Sequence, residues 1–481
     1  MGRKVGQVGV PVVRRDAPGP FRAGLLFRAG LRYASFRTLP VPHLVEHLIM
    51  SELPRVPLAH NARVDDEVMV FHASGERSAV LDLIQQVART VADPPLHRLA
   101  HEAKVVGLEE GLAVAPPMAG ALLTRYGIHG VGLAGACGPA ADQVTEAQVM
   151  EFTRRCLTRE NAVLLVTGEL PDGWSIELPE GPRPHMPVPV ASHIEAPSLL
   201  RTACVGATLS YELTAEDAAS GVLLLAVLQT ALEEDLRHRR AMVYDVYAAR
   251  RRVSTETTLS VVACTGRTED LPAMAQAMVD ELRRLADHGP TPEQLEYEVR
   301  SFAAWLDDPG DPLEALEDEA VRLLETGREP RGGDELLALM SSVGIERVQA
   351  RAREALGRLL VEVSDEVSLE IAGLRDCTDD VWPEAPRHAG RRFRRRVLTL
   401  APLDTAVTVG DEGLTLQVDG YASSMRWSEV AGVERDGDTR MVRGADGRVV
   451  PVIADVFRGS AELLRLIDRT AGDLGYAAAA E

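Results

Sequence analysis

Residues 41–50, VPHLVEHLIM, place two histidines and a glutamate in an otherwise apolar stretch. On an α-helix, residues three or four apart lie on one face, so His43 and His47 are neighbours and Glu46 borders the same face. The other side chains are apolar, which predicts a mostly buried helix. Two neutral imidazoles at this spacing can hold one zinc ion, and a glutamate beside them can act as the base toward a water that the metal activates. The spacing His-x-x-Glu-His is the inverted form of the His-Glu-x-x-His zinc helix.

The same pattern would also arise from two core histidines bonded to backbone carbonyls, with Glu46 reaching solvent. The metal interpretation therefore needs a third ligand, which a neighbouring helix usually supplies as a carboxylate. Residues 96–114 predict such a helix and offer Glu102, Glu109 and Glu110. Glu102 and Glu109 are two turns apart and share a face, whereas Glu110 points about 100° away. Solvated glutamates on a surface helix are the alternative.

Composition limits the classes of function. A chain of 481 residues is too long for one core and predicts two to four domains. Its net charge of −20 argues against nucleic acid as a partner. The N-terminus resembles no signal peptide, no apolar run reaches the length of a membrane span, and the five cysteines form no CxxC pair. We therefore expect a cytoplasmic protein without membrane contact, although the basic run RRFRRR at 391–396 is either a solvated linker, which we favour, or a contact to an anionic membrane.

The order of predicted elements defines the fold class. Strands and helices alternate in residues 1–180, a Pro-rich break covers 179–190, and the same order restarts in 181–380. This predicts an α+β protein built from two similarly folded halves. The predicted strands are 22–30, two within 60–74, 161–170, 199–213, 254–267 and 366–373, and the predicted helices are 79–93, 96–114, 145–157, 219–242 and 271–289, with further helices to about 365.

A second break at 379–396 precedes a different pattern. Residues 397–458 alternate short strands with turn signals, and one helix at 459–472 closes the chain. We predict a small β-barrel-like domain at 393–475 that is capped by this helix.

Several of these motifs together resemble the pitrilysin and mitochondrial-processing-peptidase family of inverted-zincin metallopeptidases. The segment FRAGLLFRAGLRYASFRTLPVPHLVEHLIM, residues 21–50, is similar to the strand and turn that lead into that family's zinc helix. The segment HEAKVVGLEE, residues 101–110, is similar to the family's Glu-x-x-Val-Val-x-x-Glu helix. The resemblance implies that Glu109 is the third zinc ligand and that Glu102 is a supporting carboxylate.

Two further segments extend the resemblance. HNARVDDE, at 60–67, is similar to the family's edge strand, which implies that an extended substrate pairs with the backbone at Asn61 and Ala62. LRHRRAMVYDV, at 236–246, is similar to a motif whose Arg and Tyr face the scissile carbonyl, which implies that role for Arg237 and Tyr244. In this sequence Ala241 replaces the motif's glycine, and a His-Arg pair replaces its Glu-Lys. The tail around Trp427 resembles, more weakly, bacterial pleckstrin-homology-like domains.

The family resemblance implies that the two halves form half of a peptidase chamber. The expected function is a zinc endopeptidase, with one zinc per chain, that cleaves peptides or unfolded segments such as precursors or leader peptides. The expected assembly is a homodimer or a heterodimer with a related subunit. The alternative is a non-catalytic assembly or binding subunit of a heterodimeric processing peptidase.

Overall fold

The computed structural model describes residues 8–109, 114–188, 194–202, 204–378 and 386–477. They form two α+β halves and a β-rich tail domain. The fold class is therefore the predicted one.

The first half is built on a five-stranded sheet with strand order β1-β5-β2-β4-β3. Strands β1 and β5 are parallel and the other neighbours are antiparallel. Its elements are β1 Val12–Arg14, β2 Phe21–Phe27, α1 Val41–Ser51, β3 Ala59–Val64, β4 Met69–Gly75, α2 Arg77–Ala92, α3 Leu99–Val106, α4 Pro116–Tyr126, α5 Glu146–Cys156 and β5 Ala162–Val166.

The second half repeats this topology in a six-stranded sheet with order β11-β6-β10-β7-β9-β8. Apart from the added β11, each strand has a counterpart, and β6 and β10 are parallel as β1 and β5 are. The two predicted halves are thus similarly folded. The elements are β6 Ser198–Thr202, β7 Ala207–Thr214, α6 Ala218–Leu232, a π-helix Glu233–Arg239, β8 Tyr247–Arg252, β9 Thr257–Cys264, α7 Leu271–His288, α8 Pro292–Asp307, α9 Glu317–Thr326, α10 Gly333–Ser341, α11 Ile345–Gly357, β10 Leu359–Ser364 and β11 Arg375–Asp376.

In each half, one helix packs against the sheet of the other half. Met118 and Leu122 of α4 pack against Leu259 and Val261 of β9, while α9 packs against the face of the first sheet that carries Leu26. The apolar outer faces of both sheets are therefore buried by exchange between the halves.

Several predicted boundaries were wrong. The helix predicted at 96–114 ends at Val106, and residues 110–113, which include Glu110, lie outside the described residues. The helix predicted at 219–242 changes to a π-helix at Glu233. The closing strand is β10, Leu359–Ser364, rather than 366–373.

The tail forms two four-stranded sheets, with orders β12-β13-β14-β15 and β18-β17-β16-β19, rather than a closed barrel. The predicted closing helix, α12, packs its Leu463 and Ile467 into the core between them. The first four residues of the run 391–396, predicted as a linker, form β12. The elements are β12 Arg391–Arg394, β13 Ala406–Val409, β14 Gly413–Val418, β15 Tyr421–Arg426, β16 Val430–Asp436, β17 Thr439–Gly444, β18 Val449–Ile453, α12 Ser460–Ala471 and β19 Gly475–Ala477.

The tail is docked on the first half. The Gln143 amide exchanges two hydrogen bonds with the backbone of Ala477, at 2.9 and 3.0 Å. The Phe36 and Tyr476 rings meet edge to face with centroids 5.7 Å apart. Phe36 lies in the 3-10 turn shortly before α1, so the tail supports the approach to that helix.

Within the described ranges, one helical run, Ala215–Arg239, is long and apolar enough to cross a membrane. It contains α6, which is the central helix of the second half. Leu224 and Leu228 of α6 are fully buried against its neighbours. Burial in a protein core accounts for this apolar composition.

Candidate metal centre

Helix α1 holds the two histidines and Glu46 at one edge of the first half. Val41, Val45, Leu48 and Ile49 are fully buried in the core of the first sheet, whereas Leu44 packs against Ala103 of α3 and Ala141. The helix is therefore covered on two sides and cannot rotate without exposing apolar surface. Pro42 lies in its first turn, where a missing N–H costs no hydrogen bond.

The edge of α1 that stays accessible carries His43 and His47. Their side chains are 35% and 15% exposed, and their ring centroids are 4.7 Å apart. Burial, and then the neighbouring His47, lower the pKa of His43. This favours the neutral imidazole, which is the form that binds metals.

Glu109 brings a carboxylate to both histidines. One of its oxygens lies 3.2 Å from Nε2 of His43 and the other lies 3.2 Å from Nε2 of His47. The sequence predicted Glu109 on a helix face, but the helix ends at Val106. Glu109 follows in a tight turn in which its N–H donates to the carbonyl of Val106. The Glu109 carboxylate thus lies beside both histidines, but a turn positions it and not the predicted helix.

This donor set fits zinc. Ligand atoms of His43, His47 and Glu109 all lie within 4.8 Å of one another. In a tetrahedral site with bonds of about 2.0–2.1 Å, ligand atoms are roughly 3.3 Å apart, close to the two 3.2 Å separations. Two histidines and one carboxylate are also a ligand set typical of catalytic zinc, which leaves the fourth position open.

Glu46 lies next to the three ligands but farther from them. Its Oε2 is 3.7 Å from Nε2 of His43 and 3.9 Å from Nε2 of His47, and its side chain is 9% exposed. Burial, and then the charge of Glu109, raise the pKa of Glu46 to about 7. A bound cation would lower this pKa again, because it favours the charged carboxylate. The position is suited to a base that is not a ligand.

Glu102 lies behind His47. Its Oε2 is 3.7 Å from Nδ1 of His47, which is longer than a hydrogen bond. Its other oxygen accepts from Nε and Nη2 of Arg98 at 3.2 and 2.8 Å. Such carboxylates orient metal-binding histidines from outside the ligand set. The sequence analysis missed Arg98, although its i,i+4 spacing to Glu102 is the signal for such a pair.

Asn61 and Ala62 lie on β3, which is at the edge of the first sheet and packs against α1. Asn61 is exposed and Ala62 is buried. Within the described part of the chain, β3 pairs with β4 only, so its other side can accept an added strand.

Arg237 and Tyr244 form a pair of their own. The Arg237 guanidinium lies 5.4 Å from the centre of the Tyr244 ring, and Tyr244 is 83% exposed. Across the described residues, no hydrogen bond or ion pair joins either side chain to the three ligands or to Glu46. Among the described residues, the fold therefore brings the three candidate ligands together without linking this pair to them by a hydrogen bond or an ion pair.

Ala241, the residue that replaces the glycine of the family motif, has a φ of +52°. This left-handed conformation is one that glycine adopts readily and alanine does not. The turn after the π-helix thus keeps a glycine-like backbone without a glycine. The substitution does not remove the turn.

A buried ionic cluster between the halves was not predicted from the sequence. Asp66, which lies in the region predicted as two strands, is 1% exposed and pairs with the equally buried Arg32. Arg251 of β8 lies 3.3 Å from the other Asp66 oxygen, and Arg32 donates to the Arg252 carbonyl at 2.8 Å. The turn after the substrate-strand candidate β3 is therefore fixed to the second half.

Comparison with known proteins supports a peptidase-type fold. Residues 182–302 match the family described as the peptidase M16 inactive domain. No curated protein sequence matches the chain. The matched range lies in the second half and contains none of the four residues of the metal centre. Residues 182–302 are thus similar to the M16 inactive domain.

Solved structures share the fold at low identity. A peptidase M16 inactive domain from Pseudomonas fluorescens aligns with a TM-score of 0.60 at 14% identity, over 77% of this chain and 99% of that one. A chain of Complex III2 from Candida albicans aligns with a TM-score of 0.60 at 12% identity, over 75% and 94%. The first half of the periplasmic protease PqqL from Escherichia coli aligns with a TM-score of 0.54 at 14% identity, over 76% and 92%, and this chain covers 57% of whole PqqL.

The fold is therefore that of an M16 half-chamber. The relatives include a multi-subunit complex and a protease with two halves, which is consistent with a related subunit as partner. Because the matched domain is the inactive type, the comparisons by themselves favour a non-catalytic subunit over an active peptidase.

Proposed function

We propose that this chain is the zinc-binding subunit of a peptidase that cleaves extended peptides or unfolded segments. One observation carries the proposal: His43, His47 and Glu109 converge with zinc-like separations while Glu46 stands just outside them. A site that had lost its function would be under no physical constraint to keep all four side chains in this arrangement.

His43, His47 and Glu109 would hold one zinc per chain. When bound, zinc supplies Lewis-acid activation of water and of a carbonyl group. Glu46 takes a proton from the attacking water and can return it to the leaving amine, a role that suits its position outside the ligand set. Glu102, held by Arg98, would orient the His47 ring through its charge from 3.7 Å.

The substrate would lie along β3 as an added strand. The backbone at Asn61 and Ala62 would supply main-chain hydrogen bonds, which select for extended chains and against folded proteins. Since α1 packs on β3, a strand bound there runs beside the metal centre.

Arg237 and Tyr244 would polarise the substrate carbonyl from a facing subunit. A guanidinium and a phenol both donate hydrogen bonds to a developing oxyanion. The pair is exposed, and within the described part of the chain no hydrogen bond or ion pair links it to the metal centre of its own chain. Action across an interface in a homodimer, or in a heterodimer with a related subunit, is consistent with both features.

The second candidate is a non-catalytic assembly or binding subunit. The match of 182–302 to the inactive domain favours it. In that case the four-residue centre would be either metal-free or a structural metal site without turnover.

Metal analysis combined with a cleavage assay separates the two candidates. Purified wild type should contain about one zinc per chain, and His47→Ala should lose most of it. Mass spectrometry of products from a mixed peptide library should show cleavage that a chelator abolishes. A wild type that cleaves at full rate without metal would refute the zinc proposal. Zinc-loaded protein that cleaves nothing, alone or with a related subunit, would establish the non-catalytic role.

A further inference from the structure

The loop between β12 and β13 carries unusually exposed apolar side chains. Val397, Leu398, Leu400 and Leu403 are 70%, 98%, 106% and 87% exposed. The tail's hydrophobic core takes Phe393 just before the loop and Val407 just after it, but none of these four. Apolar residues scattered singly on a surface are ordinary, whereas four in one loop mark an interaction site.

Hydrogen bonds hold the loop in this form. At its start, Nη1 of Arg395 donates to the Thr399 carbonyl at 3.2 Å. At its end, Asp404 accepts from the backbone N–H groups of Asp419 and Gly420 at 3.0 and 2.7 Å. The second contact places the loop beside the β14–β15 turn, where Tyr421 is 79% exposed. The end of the loop thus lies beside a turn that exposes an aromatic residue.

The base of the loop is basic. Arg392 and Arg394 are on the outward face of β12 while Phe393 points into the core. The N–H of Arg458 donates to the Arg394 carbonyl at 2.9 Å, which brings a third exposed arginine to the same place. Among the described residues, Arg394 and Arg458 have no carboxylate partner. The nearby Asp455 lies 3.6 Å from Arg396 and offsets one charge. The cluster stands out in a chain with a net charge of −20.

We propose that this loop anchors the protein to an anionic lipid bilayer. The leucines would enter the acyl region, and Arg392, Arg394 and Arg458 would lie at the level of the lipid phosphates. The loop and an anionic bilayer are complementary in two ways. The apolar side chains match the acyl chains of the bilayer interior, and the arginines match the negative charge of the headgroups. A bilayer also accepts a protruding tip without a preformed groove, which a protein partner would need.

This inference revises the expectation of no membrane contact. In the sequence, RRFRRR is a basic run and the apolar residues after it look like an ordinary strand. Only the fold shows that the run is a strand with outward arginines and that the next residues are exposed at its end. The inference does not depend on the zinc centre.

Vesicle flotation of the full chain tests it. Wild type should bind vesicles of 70% phosphatidylcholine and 30% phosphatidylglycerol at least about tenfold more strongly than neutral phosphatidylcholine vesicles, and added salt should weaken the binding. The triple variant Leu398→Ser, Leu400→Ser, Leu403→Ser should bind on the order of 1000-fold more weakly, since each of the three buried leucines contributes roughly tenfold. Arg394→Gln with Arg458→Gln should lose about tenfold on anionic vesicles only.

Val205→Ser is the matched control, because Val205 is 86% exposed on the second half. This variant should bind as wild type does. All these positions are on the surface, so the variants should fold, and circular dichroism verifies that. Absence of wild-type binding, or undiminished binding of the triple variant, would overturn the proposal. A third result would also overturn it: wild type does not bind vesicles but forms a dimer in light scattering, and the triple variant is monomeric. The loop would then bind a second copy of the chain.

Discussion

Glu102→Gln should weaken zinc binding without removing any ligand. Gln keeps the size of the side chain but removes the charge that faces Nδ1 of His47 from 3.7 Å. Loss of such an orienting carboxylate typically costs about 10–100-fold in metal affinity. Arg98 already neutralises part of this charge, with its Nη2 2.8 Å from Oε1 of Glu102. We therefore expect the lower end, about tenfold, which corresponds to about 1.4 kcal/mol.

The assay is competition for zinc between the protein and a fluorescent chelator at fixed pH. Glu109→Gln, which loses the carboxylate 3.2 Å from both imidazoles, should lose considerably more affinity than Glu102→Gln. Glu151→Gln, an exposed position on α5, is the matched control and should bind zinc as wild type does.

A double-mutant cycle with Arg98→Met checks the mechanism. If Arg98 acts by holding Glu102, Arg98→Met should lower zinc affinity in the wild-type background and should have no effect once Glu102 is Gln. Unchanged affinity in Glu102→Gln would refute the orienting role. A loss as large as that of Glu109→Gln would instead make Glu102 a ligand.

Three further outcomes follow from the structure. Glu46→Gln should keep its zinc in metal analysis yet lower the rate of peptide cleavage by about 10²–10⁴-fold, because it removes the base and no ligand; loss of zinc would show that Glu46 is a ligand. After subunit exchange, Glu46→Gln chains mixed with inactive Tyr244→Phe chains should recover about a quarter of wild-type activity in a homodimer, because half the dimers are mixed and each has one intact site; no recovery despite proven exchange would exclude action across that interface. Ala241→Gly should raise the free energy of unfolding by about 0.5–1 kcal/mol in urea titrations, since relief of the left-handed alanine exceeds the added entropy of glycine; destabilisation would contradict this.

Local periodicity in the sequence was enough to predict the part of the site on α1. His43, Glu46 and His47 are within one turn of each other, so helix geometry fixes their relation wherever the helix lies. Glu109 is different. It was assigned on a helix that in fact ends at Val106, and a turn delivers its carboxylate to the same place. The residue was predicted and the structure that positions it was not.

Contacts distant in sequence were not predictable from pattern. Nothing in the residues around Asp66 indicates that Arg32 and Arg251 enclose it, because the three come from separate elements in two halves. The exchange of α4 and α9 between the sheets is equally hidden. The apolar faces of these two helices predict that they are buried. An amphipathic pattern does not indicate, however, which surface of the protein covers the apolar face.

The repeated topology links the metal centre to the Arg237 motif. Helix α1 connects β2 to β3, and α6 with its π-helix connects β7 to β8, so the two helices hold equivalent positions in the two sheets. One position carries the histidines and the other carries Arg237. The buried ion pairs around Asp66 and the helices α4 and α9 hold the two halves together. A hinge motion that moved Arg237 toward the histidines of the same chain would have to break these contacts. A facing subunit can present its own Arg237 and Tyr244 without any such cost. If that facing subunit is a different, related protein, the isolated chain should cleave weakly and addition of the partner should restore cleavage; if it is a second copy of this chain, the purified chain should cleave by itself.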